Sequence, residues 1–280
     1  MQRVTSVNDL TAAIDAARAS GSKIAFVPTM GALHDGHLSL VHEAKRNADF
    51  VVVSIFVNPL QFGAGEDFEK YPRTVEEDAE KLQSAGVDVL FTPTVNDLYK
   101  SNMNVTESAG HIGEVFEGAA RPGHFDGMLT VVARLLEAVK PDFAIFGAKD
   151  AQQLFLIRQM AAKKFADMQI IKAPIIREAS GLALSSRNRY LSDEHRVVAQ
   201  HLSAAMQAGF EQGASGLPSK AVAAARNEML KAPEAKLDYI ALVDADTFEA
   251  VTDGFTGQAI LLIAAVVGGT RLIDNIEITF

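Results

Sequence analysis

Apolar positions along this chain switch between two periods. KIAFV (23–27), FVVVSIFV (50–57), VDVLF (87–91), DFAIFG (142–147) and MQIIKAP (168–174) are short apolar runs that read as strands. Between them, LSLVHEAKRNA, TVEEDAEKLQSAG, FDGMLTVVARLLEAV and DAQQLFLIRQMAAKK repeat apolar residues at three- and four-residue spacing and read as helices. Met128, Val132, Leu135 and Val139, for example, recur on one stripe. The first twenty residues, MQRVTSVNDLTAAIDAARAS, also read as a helix. Continuously apolar strands alternating with helices need cover on both faces, so the pattern predicts an α/β fold, a Rossmann-like doubly wound parallel sheet.

From Arg177 to Asp193 the chain becomes REASGLALSSRNRYLSD, rich in Ser, Gly and Arg. Two helical stretches (about 194–211 and 218–231) and the strand-like YIALVDADT and AILLIAAVV follow. The expected organisation is a first domain over residues 1–175 and a smaller C-terminal α+β domain over 176–280. Neither an internal repeat nor a low-complexity segment interrupts it.

Composition narrows the function. The 280 residues are 48% hydrophobic and 22% charged, a globular balance. Asp and Glu outnumber Lys and Arg by 35 to 26, and no run of basic residues offsets the formal charge of −9, which argues against a nucleic-acid or anionic-membrane partner. The complete lack of cysteine excludes disulfides, thiolate catalysis and Cys-type zinc sites, and fits a cytoplasmic location. No signal peptide is evident, and the longest apolar run, AILLIAAVV, is far short of the about 20 residues that span a bilayer.

Five stretches carry candidate chemistry. In PTMGALHDGH (28–37) a strand runs into a glycine-containing turn and a helix start, a setting that favours an anion at the carboxyl edge of a parallel sheet. His34 and His37, three apart, then read as hydrogen-bond donors to phosphate; a zinc reading lacks a third ligand, and turn filling remains the plain alternative. In FGAKDAQQ, Gly147 ends a strand, Lys149 offers a point charge and Gln153 an amide, while Asp150 has the spacing of a helix cap as well as of a ligand contact. Asn58 and Gln61 in NPLQF follow another strand end. EGAARPGHFDGM supplies Arg121 and His124 in a glycine-rich loop, a lid or a mere connection, before a helix expected to be capped by Asp126. SGLALSSRNRYL pairs Ser185 and Ser186 with Arg187 and Arg189, a loop suited to closing over polyphosphate or to linking domains.

Together, PTMGALHDGH, NPLQF, YPRT, RPGHFDGM, FGAKDAQQ and SSRNRYL resemble the pantothenate synthetases, ATP-dependent ligases that join pantoate to β-alanine, over roughly residues 23–191. HDGH resembles the His-x-Gly-His signature of the wider nucleotidyltransferase superfamily. The resemblance implies a Rossmann-like first domain, a C-terminal lid domain, a homodimer, and ATP with Mg²⁺. It implies ATP contacts from Met30, Gly31, Ala32, Leu33, His34, Asp35, Gly36 and His37, from Gly147, Ala148, Lys149 and Asp150, from Ile176, and from Leu184, Ser185, Ser186 and Arg187. Substrate contacts are implied for Gln61, Gln153 and Asn58, pantoate at the two glutamines and β-alanine near Gln61; catalysis falls on His37, with His34, Lys149 and Arg187. The metal ligands stay unassigned among Asp67, Glu76, Glu77 and Asp78. Asp35, Ala151 and Leu184 depart from the family's usual Glu, aromatic and Met, which touches ATP packing rather than reacting groups. Another adenylyltransferase of the superfamily, or a nucleotide-binding regulator without turnover, is the alternative reading.

Overall fold

The computed structural model describes residues 1–63, 68–100, 102–213 and 216–280. The chain divides into two compact units, residues 1–148 with 152–174, and residues 149–151 with 175–280.

The first unit is built on β1 (Gln2–Val4), α1 (Val7–Ala19), β2 (Ile24–Thr29), α2 (Asp35–Asn47), β3 (Phe50–Ile55), α3 (Val75–Ser84), β4 (Val89–Phe91), α4 (Val95–Tyr99), α5 (Glu117–Ala120), α6 (His124–Val139), β5 (Phe143–Gly147), α7 (Ala151–Lys164) and β6 (Gln169–Ala173). All six strands run parallel in the order β1-β4-β3-β2-β5-β6. The alternation of side chains along each strand sends alternate residues to opposite faces. Ile24, Phe26, Val52, Phe91, Ala144 and Phe146 join Leu10 and Ile14 of α1 and the buried face of α6 in one core layer. Ala25, Val27, Val51, Val53, Leu90 and Ile145 join Val41 and Ala44 of α2 and Ala79 and Leu82 of α3 in the other. The apolar stripe expected on α6 is present but wider, with Leu129, Val131, Ala133 and Leu136 buried too.

Two expectations change. The opening segment is not all helix: Gln2–Val4 pair in register with Val89–Phe91 as an edge strand, and α1 starts only where Ser6 Oγ accepts the Asp9 N–H at 3.1 Å. Asp126 does not cap α6. The helix begins at His124 behind Gly123, whose φ of +78° suits glycine, and Asp126 lies inside the first turn, accepting the Ala109 N–H at 2.7 Å.

In the second unit, α8 (Asp193–Gly213) and α9 (Pro218–Met229) pack with an antiparallel sheet of β7 (Lys236–Asp244), β8 (Gln258–Val267) and β9 (Thr270–Thr279). Their shared core sets Leu261, Ile263, Ala265 and Val267 with Leu202, Met206, Ala221, Ala225 and Met229. A glycine makes the close approach possible. A Cβ on Gly209 of α8 would stand 2.3 Å from Leu261 Cδ2 and 3.1 Å from the Ala221 carbonyl oxygen.

Candidate active site

The chain leaves β2 for β3 and β4 on one side of the sheet and returns for β5 and β6 on the other, so the strand order reverses between β2 and β5. Among the described residues β2 and β5 pair only at Ala25–Phe143 and Phe26–Ala144. Their carboxyl ends are therefore unpaired with each other, the place where open α/β sheets take ligands. PTMGALHDGH leaves β2 at this point.

The turn is wound tightly because Gly31 (φ +83°) and the buried Ala32 (φ +52°) both take left-handed backbone conformations. For alanine that conformation costs energy and persists only when its surroundings enforce it. The enforcer is Asp78 on α3, fully buried, whose carboxylate accepts the N–H groups of Ala32 (2.9 Å) and Leu33 (2.8 Å) and the Thr74 hydroxyl (3.1 Å). One turn further along α3, Lys81 Nζ donates to the Leu33 carbonyl at 2.8 Å. Successive N–H groups in such a turn form an anion cradle; here the protein's own carboxylate occupies it. Asp78 thus grips the turn, a role not legible from its place in an acidic run. Its presence four residues before Leu82, on the apolar face of α3, is the signal that it was bound for the interior.

The two histidines close the turn into α2. His34 Nδ1 accepts the Gly36 N–H at 3.1 Å, and His37 Nδ1 accepts the His34 N–H at 3.3 Å, a reciprocal cap in which imidazoles replace the usual hydroxyl and carboxylate. The rings lie 4.1 Å apart, tilted by 44°. A ring nitrogen that accepts a backbone N–H carries no proton, so each neutral ring holds its proton on Nε2. The N–H groups of Ala32, Leu33, His34 and Gly36 are engaged within this structure.

Past β3, Asn58 caps a single turn, Pro59–Gln61, and both Asn58 and Gln61 are buried. Gln61 Nε2 meets Met30 Sδ at 3.2 Å, so two predicted site residues from different strand ends come together. Arg121 and His124 hold this turn from the side: His124 Nδ1 lies 2.8 Å from the Gln61 carbonyl oxygen and Arg121 Nη1 3.0 Å from His124 Nε2. On α7, Gln153 is half-buried, while its neighbour Gln152 is spent on structure, accepting the Glu117 N–H at 3.1 Å and donating to the carbonyls of Ile112 (2.6 Å) and Val115 (2.9 Å). Gly147 and Ala148 close β5, with the Ala148 N–H donating to the Ala173 carbonyl at 2.8 Å.

The second unit orders its own candidates. Ile176 and Leu184 face each other across a hairpin, the Leu184 N–H donating to the Ile176 carbonyl at 2.9 Å. Ser185 Oγ accepts the Arg187 N–H at 3.3 Å and starts the turn Ser186–Tyr190. Asn188 Nδ2 ties that turn to Glu178 Oε1 at 3.0 Å and to the Ala183 carbonyl at 3.1 Å. Lys149 Nζ stands 3.7 Å from Asp150 Oδ1, and the Lys149 carbonyl accepts Asn275 Nδ2 at 2.8 Å. Next to Asn275, the buried Asp274 binds the Arg177 guanidinium through both oxygens, at 2.6 and 2.9 Å. Neither β9 nor these two anchors carried a motif in the sequence. Asp67 lies outside the described residues, Glu76 pairs with Arg3 at 2.7 Å, and among the described residues no three His, Asp or Glu side chains gather to hold a metal.

Fold and site define a doubly wound α/β protein whose polar side chains collect at the strand-order reversal, around a histidine-capped helix. The model of the family described as pantoate-beta-alanine ligase matches residues 2–277, and the chain belongs to that family. It is 51% identical to the pantothenate synthetase of Acidothermus cellulolyticus over 90% of this chain and 84% of the relative, and 49% identical to that of Novosphingobium aromaticivorans over 99% of both. Among solved structures it matches pantothenate synthetase from Thermus thermophilus with a TM-score of 0.90, 43% identity and full coverage of both chains. The pantoate-beta-alanine ligase of Francisella tularensis, complexed with beta-gamma ATP and beta-alanine, matches with a TM-score of 0.78 at 35% identity over 99% of this chain and 97% of that one.

Proposed function

We propose that this chain condenses (R)-pantoate with β-alanine at the expense of ATP, giving pantothenate, AMP and pyrophosphate. The observation that carries the reading is the histidine-capped turn at the strand-order reversal, in a chain that matches the ligase family nearly end to end. The co-bound beta-gamma ATP and beta-alanine of the Francisella relative support the choice of ligands.

The chemistry runs in two displacements. A carboxylate oxygen of pantoate attacks the α-phosphorus of ATP, the bond to the bridging oxygen breaks, and pyrophosphate leaves. The amine nitrogen of β-alanine then attacks the acyl carbon of the pantoyl adenylate, the bond to the adenylate oxygen breaks, AMP departs, and the amine gives up a proton. Adenylation is needed because an oxide is a poor leaving group. His37 and His34 donate through Nε2–H to phosphate oxygens as charge moves toward pyrophosphate, with Lys149 and the Arg187 fork as the cationic groups; this is positioning and electrostatics. ATP contacts are assigned to Met30–His37, Gly147–Asp150, Ile176 and Leu184–Arg187, and pantoate to Gln61 and Gln153. Residues 1–175 take the ATP- and pantoate-binding role and 176–280 the lid role. With no protein cage for a metal among the described residues, Mg²⁺ belongs to this reading as the companion of the ATP phosphates, its usual mode. A cytoplasmic homodimer completes it, supported by the cysteine-free composition for the compartment and by the family resemblance for the dimer.

Isotope transfer tests the mechanism. With ¹⁸O in the pantoate carboxylate, one label is expected in AMP, read by mass spectrometry; unlabelled AMP rejects the adenylate route.

A further inference from the structure

Asn58 has no exposed surface. A side-chain amide has four hydrogen-bonding positions, two on nitrogen and two on oxygen, and in Asn58 all four are taken. Oδ1 accepts the Tyr99 hydroxyl at 2.7 Å and the Leu60 N–H at 3.3 Å; Nδ2 donates to the Gly127 carbonyl at 3.1 Å and to Gln61 Oε1 at 3.2 Å. Two of these partners act in one direction only: a backbone N–H donates and a carbonyl accepts. They fix which way round the amide sits. With Nδ2 facing Gln61, the atom that Gln61 turns toward it is Oε1. The Gln61 Nε2 then faces the other way, beside Met30 Sδ, a thioether that is only a weak acceptor.

We propose that Asn58 is not a substrate contact but a positioning residue that sets Gln61 as a hydrogen-bond donor, so that Gln61 reads an acceptor oxygen of pantoate. The proposal rests on the reading that Gln61 binds pantoate. Tyr99 is the far end of the relay. Its ring is buried against Phe56 and under the Arg134 guanidinium, its hydroxyl donates because Asn58 turns Oδ1 toward it, and burial pushes its pKa up to about 12 against the opposing pull of Arg134. Gly127 completes the arrangement. A Cβ there would stand 2.0 Å from the Leu60 carbonyl oxygen, so the lack of one lets α6 bring its carbonyl within reach of Asn58.

A double-mutant cycle on the full chain tests this, with KM for pantoate and for ATP measured separately and folding checked by thermal melting. Gln61→Ala is expected to raise the pantoate KM about tenfold or more, as loss of a hydrogen bond to a charged or polar ligand does, with the ATP KM little changed. Asn58→Ala is expected to raise it likewise, and to add nothing in the Gln61→Ala background. If the two effects multiply instead, Asn58 meets the substrate itself and the proposal is overturned while the pantoate reading of Gln61 stands. If Gln61→Ala leaves the pantoate KM unchanged, that reading falls and the proposal with it. Should Asn58→Ala fail to fold, Tyr99→Phe, which keeps the ring, runs the same cycle. Gln61→Glu gives an independent sign: pantoate binding is expected to weaken at neutral pH and to recover on acidification, when the carboxyl regains an O–H donor. Undiminished binding at neutral pH overturns the donor assignment.

Discussion

A ring nitrogen that accepts a backbone N–H cannot also carry a proton, and in His34 and His37 that constraint is built into a helix cap. Each imidazole therefore keeps its proton on Nε2 while it holds the start of α2. His37→Ala is expected to lower kcat by about 10²–10³, the range for loss of one charge-stabilising donor; pyrophosphate release at saturating substrates measures it, and an unchanged kcat rejects the role. Spacing alone exposed the histidines, yet not their tautomers, because those depend on where neighbouring N–H groups point. Asp78 was read in the sequence as one of the acids of EED and as one of four candidate metal ligands, not as the residue that holds the turn. Asp78→Asn keeps the shape but replaces an acceptor by a donor that faces N–H groups, so a loss of about 1–3 kcal/mol is expected in denaturant melts, with a raised ATP KM. Tyr99 adds a pH signature. Its folded pKa, about 12, lies above the unfolded value near 10, so its contribution is complete below pH 10 and declines as the unfolded chain ionises toward pH 12. Alkaline unfolding of Tyr99→Phe is expected to be less steep over that window, followed by circular dichroism.

Elements were legible wherever one period ran long enough. The strands 24–29 and 50–55 and the helices 35–47, 75–84, 124–139 and 151–164 follow the apolar pattern, because a sheet covered on both faces needs apolar residues throughout. Two strands escaped. Gln2–Val4 is too short for a period and forms only by pairing with Val89–Phe91. In RLIDNIEIT the apolar alternation is broken by Asp274 and Asn275, whose burial makes sense only once Arg177 and the Lys149 carbonyl are seen as their partners. The glycine of close approach belongs to this scale as well. Gly127→Ala forces α6 away from the turn that carries Gln61, so a loss of about 1–3 kcal/mol of stability is expected together with a higher pantoate KM. Gly209→Ala, buried between α8, α9 and β8, is expected to cost a similar amount with the pantoate KM unaffected; a matching KM defect would show that overpacking anywhere suffices.

At the scale of the molecule, the chain divides into two units, each with cores of its own. The composition had disfavoured nucleic acid through charge, local geometry had pointed to phosphate, and the six motifs together had pointed to the family that the comparisons show. Ligand binding supplies a global readout. Saturation with ATP at about 100 times its Kd is expected to stabilise the chain by about 2.7 kcal/mol, seen as a rise in Tm that the Asp78→Asn chain shows only at higher ATP. That expectation follows from the carboxylate seated beneath the histidine turn. Because Asp78 already holds Ala32 in its left-handed conformation, the entropy of ordering the turn is lost when the protein folds and not when the nucleotide arrives. The turn is therefore already shaped without any ligand, and under the ATP contacts proposed for Met30–His37 the nucleotide meets it ready-made.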